Sequence, residues 1–164
     1  MPKKDIFIYQ IYFDKNGKKL VEPGYIPLDN TRNERPDWVE LWVIRNYLKK
    51  IKLEDKNWYG FFSWKFKKKT GLSYKNVLDL LTKSKNNCEV VLFSHGWDQI
   101  AYFQNPFFQG DFFHPGLLNL SQRLFDELKI KINLKNTVCH SLNSVFSNQL
   151  VAKPLFWKKW LYLA

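Results

Sequence analysis

The sequence predicts an α/β domain of three layers, a mainly parallel sheet with helices on both faces. Three observations carry that prediction. Runs rich in β-branched and aromatic residues alternate with stretches of helical periodicity. The apolar part of Glu89–Ser94 (EVVLFS) is continuous rather than alternating, as in a strand covered on both sides. Finally, 164 residues with 45% hydrophobic content and no repeat or Gly-, Pro- or Ser-rich linker fit one core and one domain spanning 1–164.

Taken in order, Asp5–Phe13 (DIFIYQIYF) reads as the first strand, and Asp14-Lys15-Asn16-Gly17 as the turn that ends it. Gly24–Asn30 is extended but short, because Pro27 cannot donate a ladder hydrogen bond and belongs at an edge. Pro36–Lys50 is expected to be a helix, with Pro36 at its first position and Asp37 and Glu40 against its positive end. Trp38, Leu41, Trp42, Arg45 and Leu48 share one side of it. Trp58–Ser63 reads as the second main strand. Ser73 caps a helix with an apolar stripe of Val77, Leu78, Leu80 and Leu81. Pro115–Leu128 is a further helix, with Leu117, Leu118, Leu120, Leu124, Phe125 and Leu128 as candidate buried positions. Ser144–Val151 is a last strand, and Pro154 starts a terminal helix carrying Phe156, Trp157, Trp160 and Leu161.

The formal net charge of +11 raises the question of a polyanionic partner. The kind of cation argues against nucleic acid, since only Arg32, Arg35, Arg45 and Arg123 are arginines among 26 basic residues. Lys67-Lys68-Lys69 and Lys49-Lys50 read first as solvated faces and second as contacts to phosphate or acidic lipid. No apolar run approaches the roughly 20 residues that span a bilayer, and no h-region follows the basic start, so the chain reads as cytoplasmic, with peripheral contact to the inner membrane as an option. Cys88 and Cys139 have no paired spacing and read as reduced thiols. Aromatics at 18% are unusually frequent; most are expected to pack the core, and the remainder fits sugar handling by ring stacking.

Open parallel sheets take ligands beyond the carboxyl ends of their strands, so the polar residues just after each strand are the candidates. Asp29, Asn30, Arg35 and Asp37 lie in a dense polar loop leading into a helix. A helix N-terminus beside Arg35 suits an anion, and Asp29 and Asn30 suit a base or ribose; the same letters also make turns and caps. In Trp58–Phe66, Gly60 signals a close approach, and Ser63 and Lys65 can reach a phosphate, although a core strand with a basic turn reads equally well. In Ser94–Gln99, His95 and Asp98 can supply a general base, and Asp98 can meet a divalent cation. Gln109 and His114 flank the next helix start, where His114 either binds a hydroxyl or caps the chain, and Asn148 sits in Asn143–Asn148. GxGxxG, Walker, HExxH, GxSxG, paired-Cys and DxD patterns are missing.

Together, YIPLDNTRNERPDWVELWVIRNYL, WYGFFSWKFKKKTGLS, VVLFSHGWDQIAYFQNPFFQGDFFHPGL and VFSNQLVAKPLFWKKWL resemble a family of small bacterial glycosyltransferase-like proteins of capsule and lipopolysaccharide synthesis. The resemblance runs from Tyr25 to Leu161 with gaps. It implies a GT-A- or Rossmann-like sheet and transfer of a sugar from a nucleotide-sugar to a surface glycan or lipid-linked acceptor. Its motif positions are Asp29, Asn30, Arg35 and Asp37; Tyr59, Ser63 and Lys65; Asp98, Gln109 and His114; and Asn148 and Lys153. Asp98 and His114 are the implied catalytic pair, and the others except Lys153 are the implied substrate-binding residues. Trp64 and His95 stand where the family places proline, which moves the catalytic assignment from His95 to Asp98. Related chains continue past the final helix, so the resemblance implies a C-terminally shortened copy. No cofactor is required by these motifs beyond an optional magnesium or manganese ion. The alternative is a non-catalytic carbohydrate-binding or accessory subunit of polysaccharide assembly.

Overall fold

The rigid frame of the chain is a five-stranded sheet of order β2-β1-β3-β5-β4, seen in a computed structural model that describes residues 5–84, 88–93, 101–140 and 143–164. β1 (Ile6–Tyr12) pairs in parallel with both β2 (Ile26–Asp29) and β3 (Trp58–Ser63). β5 (Leu150–Ala152) runs antiparallel between β3 and β4 (Val90–Leu92). The sheet is therefore open and mostly parallel, with one reversed strand. Its carboxyl rim carries the ends of β1, β2, β3 and β4 together with the start of β5.

Strand alternation divides the side chains between two cores. Tyr9, Ile11, Leu28, Tyr59, Phe61, Leu150 and Ala152 face α2 (Leu41–Lys50) and α7 (Pro154–Leu163), which contribute Val43, Ile44, Leu48 and Trp157. Ile8, Trp58, Phe62 and Val151 face α3 (Phe66–Thr70) and α4 (Tyr74–Ser84), which contribute Phe66, Val77 and Leu81. The aromatic excess is spent here: Phe62 stacks on Phe66 at 4.1 Å between ring centroids and Tyr9 on Phe61 at 5.2 Å, while Trp157 donates its Nε1–H to the Tyr59 carbonyl. Each fully buried ring of this size contributes about 1.5–3 kcal/mol over its exposed state.

Residues 1–93 with 148–164 form one compact unit, and 94–147 form a second. In the second, α5 (Pro106–Phe113) and α6 (Leu117–Glu127) make a helical hairpin. Asn105, fully buried, caps α5 by accepting from the Phe107 and Phe108 amides and donates to the carbonyls of Leu134 and Thr137. Among the described residues no helix is long and apolar enough to cross a membrane.

Several expectations need correction. Pro36–Lys50 is not one helix: a 3-10 turn (Pro36–Trp38) ends at Val39, whose φ of 50° breaks the helical path, and α2 starts at Leu41. The buried stripe of α2 is Val43, Ile44 and Leu48, so the Trp38/Leu41/Trp42/Arg45 side faces outward or is only half-buried. The Asp14 turn winds into α1 (Lys15–Lys19), with the Asp14 carboxylate accepting from the Gly17 amide. β4 is an edge strand, half-buried rather than covered. Of the expected strand Ser144–Val151 only 150 and 151 are paired, the strand continues to Ala152, and it is antiparallel. Of the apolar positions expected to be buried on α6, only Leu118 is; Leu120, Leu124 and Leu128 are exposed, because this helix packs chiefly on α5.

Gly60 sits where the reversed strand crosses closest. A β-carbon there would lie 2.6 Å from Val151 Cγ2 and 3.1 Å from the Leu150 carbonyl oxygen. Gly60→Ala is expected to lower stability by about 1–3 kcal/mol in urea unfolding, and adding Val151→Ala is expected to recover part of that loss. An additive double mutant would show that the approach of β5 to β3 is not the cause.

Candidate functional site at the carboxyl rim

Five hydrogen bonds run along the carboxyl rim, each using a side-chain amide. The Glu22 amide donates to Gln10 Oε1 (2.8 Å), and Gln10 Nε2 donates to the Ser63 carbonyl (3.2 Å). The Ser63 amide donates to Gln149 Oε1 (3.0 Å), Gln149 Nε2 to Asn148 Oδ1 (3.1 Å), and Asn148 Nδ2 to Glu40 Oε2 (3.1 Å). Gln10 and Gln149 are 1% and 2% exposed, so they could not remain there without these partners. The chain links β1, β3, β5 and the start of α2. Neither glutamine is among the residues expected from sequence; the available signal was a polar side chain inside an otherwise apolar strand.

Two clefts open on this rim. One, of about 340 Å³, lies beyond the end of β2 and is lined by Asp29, Asn30, Arg32, Glu34, Trp42 and Asn46 among others. The Asp29 carboxylate accepts from the Thr31 amide (2.8 Å), and this bond, aided by the Tyr12 hydroxyl and Lys18, holds it below the usual carboxylate range. It is an anionic acceptor at neutral pH. Asn30 is buried, donates its backbone N–H to the Tyr12 carbonyl (2.9 Å) and points Nδ2 toward the Val39 carbonyl (3.5 Å). Asn33, also on this cleft, has a buried Oδ1 without a hydrogen-bond partner and a φ of 40°.

The second cleft, of about 770 Å³, lies between residues 37–41 and the end of α7, with Trp38, Val39, Glu40, Leu41, Asn148 and Trp160 in its lining. Arg35 closes on Asp37 through two bonds, Nε to Oδ1 at 2.9 Å and Nη2 to Oδ2 at 2.6 Å. This pairing depresses the Asp37 carboxyl and raises the Arg35 guanidinium. The same guanidinium lies 5.2 Å from the Trp38 ring and 5.5 Å from the Trp42 ring. Arg35 is thus engaged on its planar faces and its fork, rather than presented as an open anion grip.

The rim gathers Asp29, Asn30, Arg35, Asp37, Ser63, Lys65 and Asn148 on one edge of the first unit. Ser63 is buried and contributes through its backbone and through Oγ, which accepts from the Lys65 amide (3.3 Å). The Lys65 ammonium is exposed and lies 4.8 Å over the Trp64 ring. Tyr59 and Lys153 are not brought here. Tyr59 is at the amino end of β3, buried, with its hydroxyl accepting from the Glu54 amide (3.1 Å), and Lys153 donates to the Lys56 carbonyl (3.1 Å) at that same opposite end. Gln109, half-buried in α5, and His114, exposed at its C-terminus, belong to the second unit. His95 and Asp98 lie outside the described residues. Among the described residues no three His, Cys, Asp or Glu side chains group as a metal-ligand set.

Compared with protein-family models, with curated proteins and with solved structures, the chain finds no match.

Two measurements test this geometry. Gln149→Leu leaves the buried Ser63 amide without its acceptor and is expected to cost about 1–3 kcal/mol, more than the same change at an exposed glutamine such as Gln104. Asp29 has a folded pKa below its unfolded one, so it contributes stability above the ordinary aspartate value of about 4, and that contribution fades as pH falls through the lower folded value. The stability advantage of the unmodified chain over Asp29→Asn should therefore be flat from neutrality to about pH 5 and shrink below pH 4. An advantage that grows on acidification would contradict the assigned hydrogen bonding.

Proposed function

We propose that the chain handles a sugar nucleotide at the carboxyl rim and is a glycosyltransferase of GT-A-like fold acting on a bacterial surface glycan or lipid-linked acceptor. The observation that carries this reading is the ionised Asp29 beside Asn30, in a cleft at the end of the second parallel strand. From that place an acid in a parallel α/β sheet reaches ribose hydroxyls of a bound nucleotide. The order β2-β1-β3 also supports it, because the connections after β1 and β2 carry the chain to opposite sides of β1. Such a reversal opens a crevice at the strand ends. In this reading Lys65 faces the diphosphate. A divalent cation would serve only to neutralise the diphosphate. Donor and acceptor would be met on the cytoplasmic side, and the lysine-rich surface would allow contact with an anionic membrane.

A second reading is favoured by one observation. Arg35, the arginine expected to face a leaving group, is already paired with Asp37, so a non-catalytic carbohydrate-binding role in polysaccharide assembly asks for less rearrangement.

Thermal unfolding with UDP-, GDP- and CMP-sugars separates these readings. A donor at about 100 times its Kd is expected to add about 2.7 kcal/mol, a rise of about 5–11 °C in Tm. Asp29→Ala is expected to weaken that donor about tenfold, the effect of losing a charged hydrogen bond. If no sugar nucleotide shifts Tm or is slowly hydrolysed, the transferase reading fails.

A further inference from the structure

We infer that the cleft between residues 37–41 and the end of α7 is a binding site for a neutral saccharide, separate from the nucleotide-binding cleft at the end of β2. The assignment rests on the carbohydrate-handling reading above and names where the glycan itself sits. Three features of the cleft converge. Its volume of about 770 Å³ is within the range of small-molecule sites and accommodates two or three sugar rings. Its lining combines two indoles, Trp38 and Trp160, with the apolar Val39 and Leu41, the surface that the C–H faces of a pyranose need. Its polar groups are carboxylates and an amide, Asp37, Glu40 and Asn148, and among the described residues no lysine or arginine lines it.

That polar set discriminates between ligands. Carboxylate oxygens accept from sugar hydroxyls, whereas a phosphate or a uronate would meet the Glu40 charge, with the Arg35 guanidinium already committed to Asp37. Asp37 is already satisfied by Arg35, which leaves Glu40 as the acceptor. One of its oxygens receives Asn148 Nδ2, and Asn148 is in turn held by Gln149, buried in the rim. The carboxylate is therefore aimed by a relay that begins inside the sheet, not left to an exposed rotamer. A pre-positioned acceptor loses little conformational entropy on binding. Leu41 and Val39, at 40% and 59% exposed, are large apolar residues whose placement in the same lining is explained by a ligand that covers them.

The experiment is a titration of the full chain with maltotriose, cellotriose and chitotriose, followed by intrinsic tryptophan fluorescence, with a hyaluronan tetrasaccharide as the anionic comparator. At least one neutral trisaccharide is expected to bind and the anionic one to bind at least about tenfold more weakly. Glu40→Gln and Trp160→Ala should each weaken binding about tenfold or more. Glu40→Gln preserves shape and an oxygen for Asn148, so its Tm should stay near that of the unmodified chain. Failure of all three neutral sugars to bind, equal binding of the anionic one, or binding indifferent to both substitutions overturns the assignment. Sugar-nucleotide thermal shifts on the same samples keep the two ideas apart. A donor shift without saccharide binding defeats this site alone, and saccharide binding without any donor shift defeats the transferase reading alone.

Discussion

Everything at the rim depends on the two glutamines that reach the Ser63 backbone from either side. The Ser63 carbonyl and amide lie at the end of β3, next to β1 on one side and β5 on the other, where the ladder bonds run out. Gln10 supplies the donor and Gln149 the acceptor. A buried peptide group left unmatched here would cost about 1–3 kcal/mol for each atom, and the two side-chain amides remove that cost at the end of β3. Gln149 can take part because β5 runs backwards: the residue preceding an antiparallel strand lies at the rim where the parallel strands finish. The reversal of one three-residue strand and the construction of the rim are one structural fact.

This construction changes what the charge of the protein means. The formal charge of +11 suggests a surface looking for polyanions, yet four carboxylates, Asp29, Glu34, Asp37 and Glu40, line the rim's clefts, with Arg32 and Lys50 beside the first two in the smaller one. The lysine run 67–69 is exposed on α3, and Lys49 and Lys50 end α2, where they oppose the negative end of its dipole. Net charge acts over a Debye length and speeds encounters with anions, whereas the clefts act at contact distance and select by hydrogen bonding.

How much of this was legible varies with how local the cause is. β1 and β3 could be read to within a residue or so because their runs of bulky side chains have no good alternative to a strand. The cap at Ser73 was equally plain, since Ser73 and Asn76 satisfy each other locally. The break at Val39 was hidden, because its positive φ is imposed by surroundings and nothing in a valine announces it. The direction of β5 was hidden too: three apolar residues carry no sign of polarity, and the run from 144 suggested a longer strand than the one that forms. For the site, the polar residues after β2 and β3 were found by the strand-end rule. Tyr59 was drawn in by motif position although it lies at the amino end of its strand, and Gln10, Gln149 and Glu40 were passed over because their roles exist only once distant segments meet.

The segment 39–40 shows why those omissions matter together. Val39 is a β-branched residue at φ 50° and ψ −115°, a conformation that costs on the order of 1–3 kcal/mol and persists only where the surroundings over-determine it. Here they do so from both sides. Its carbonyl lies toward Asn30, itself buried and tied to Tyr12 at the end of β1, and its neighbour Glu40 is held by Asn148 at the start of β5. The strained peptide is the wall between the two clefts, with Asn30 on one and Val39 and Glu40 on the other. A regular helix from Pro36 would have carried residues 39–40 along its axis and removed that wall. The sheet edge therefore sets the partition of the rim into a smaller polar cleft and a larger aromatic one by holding a single residue where a helix would not put it.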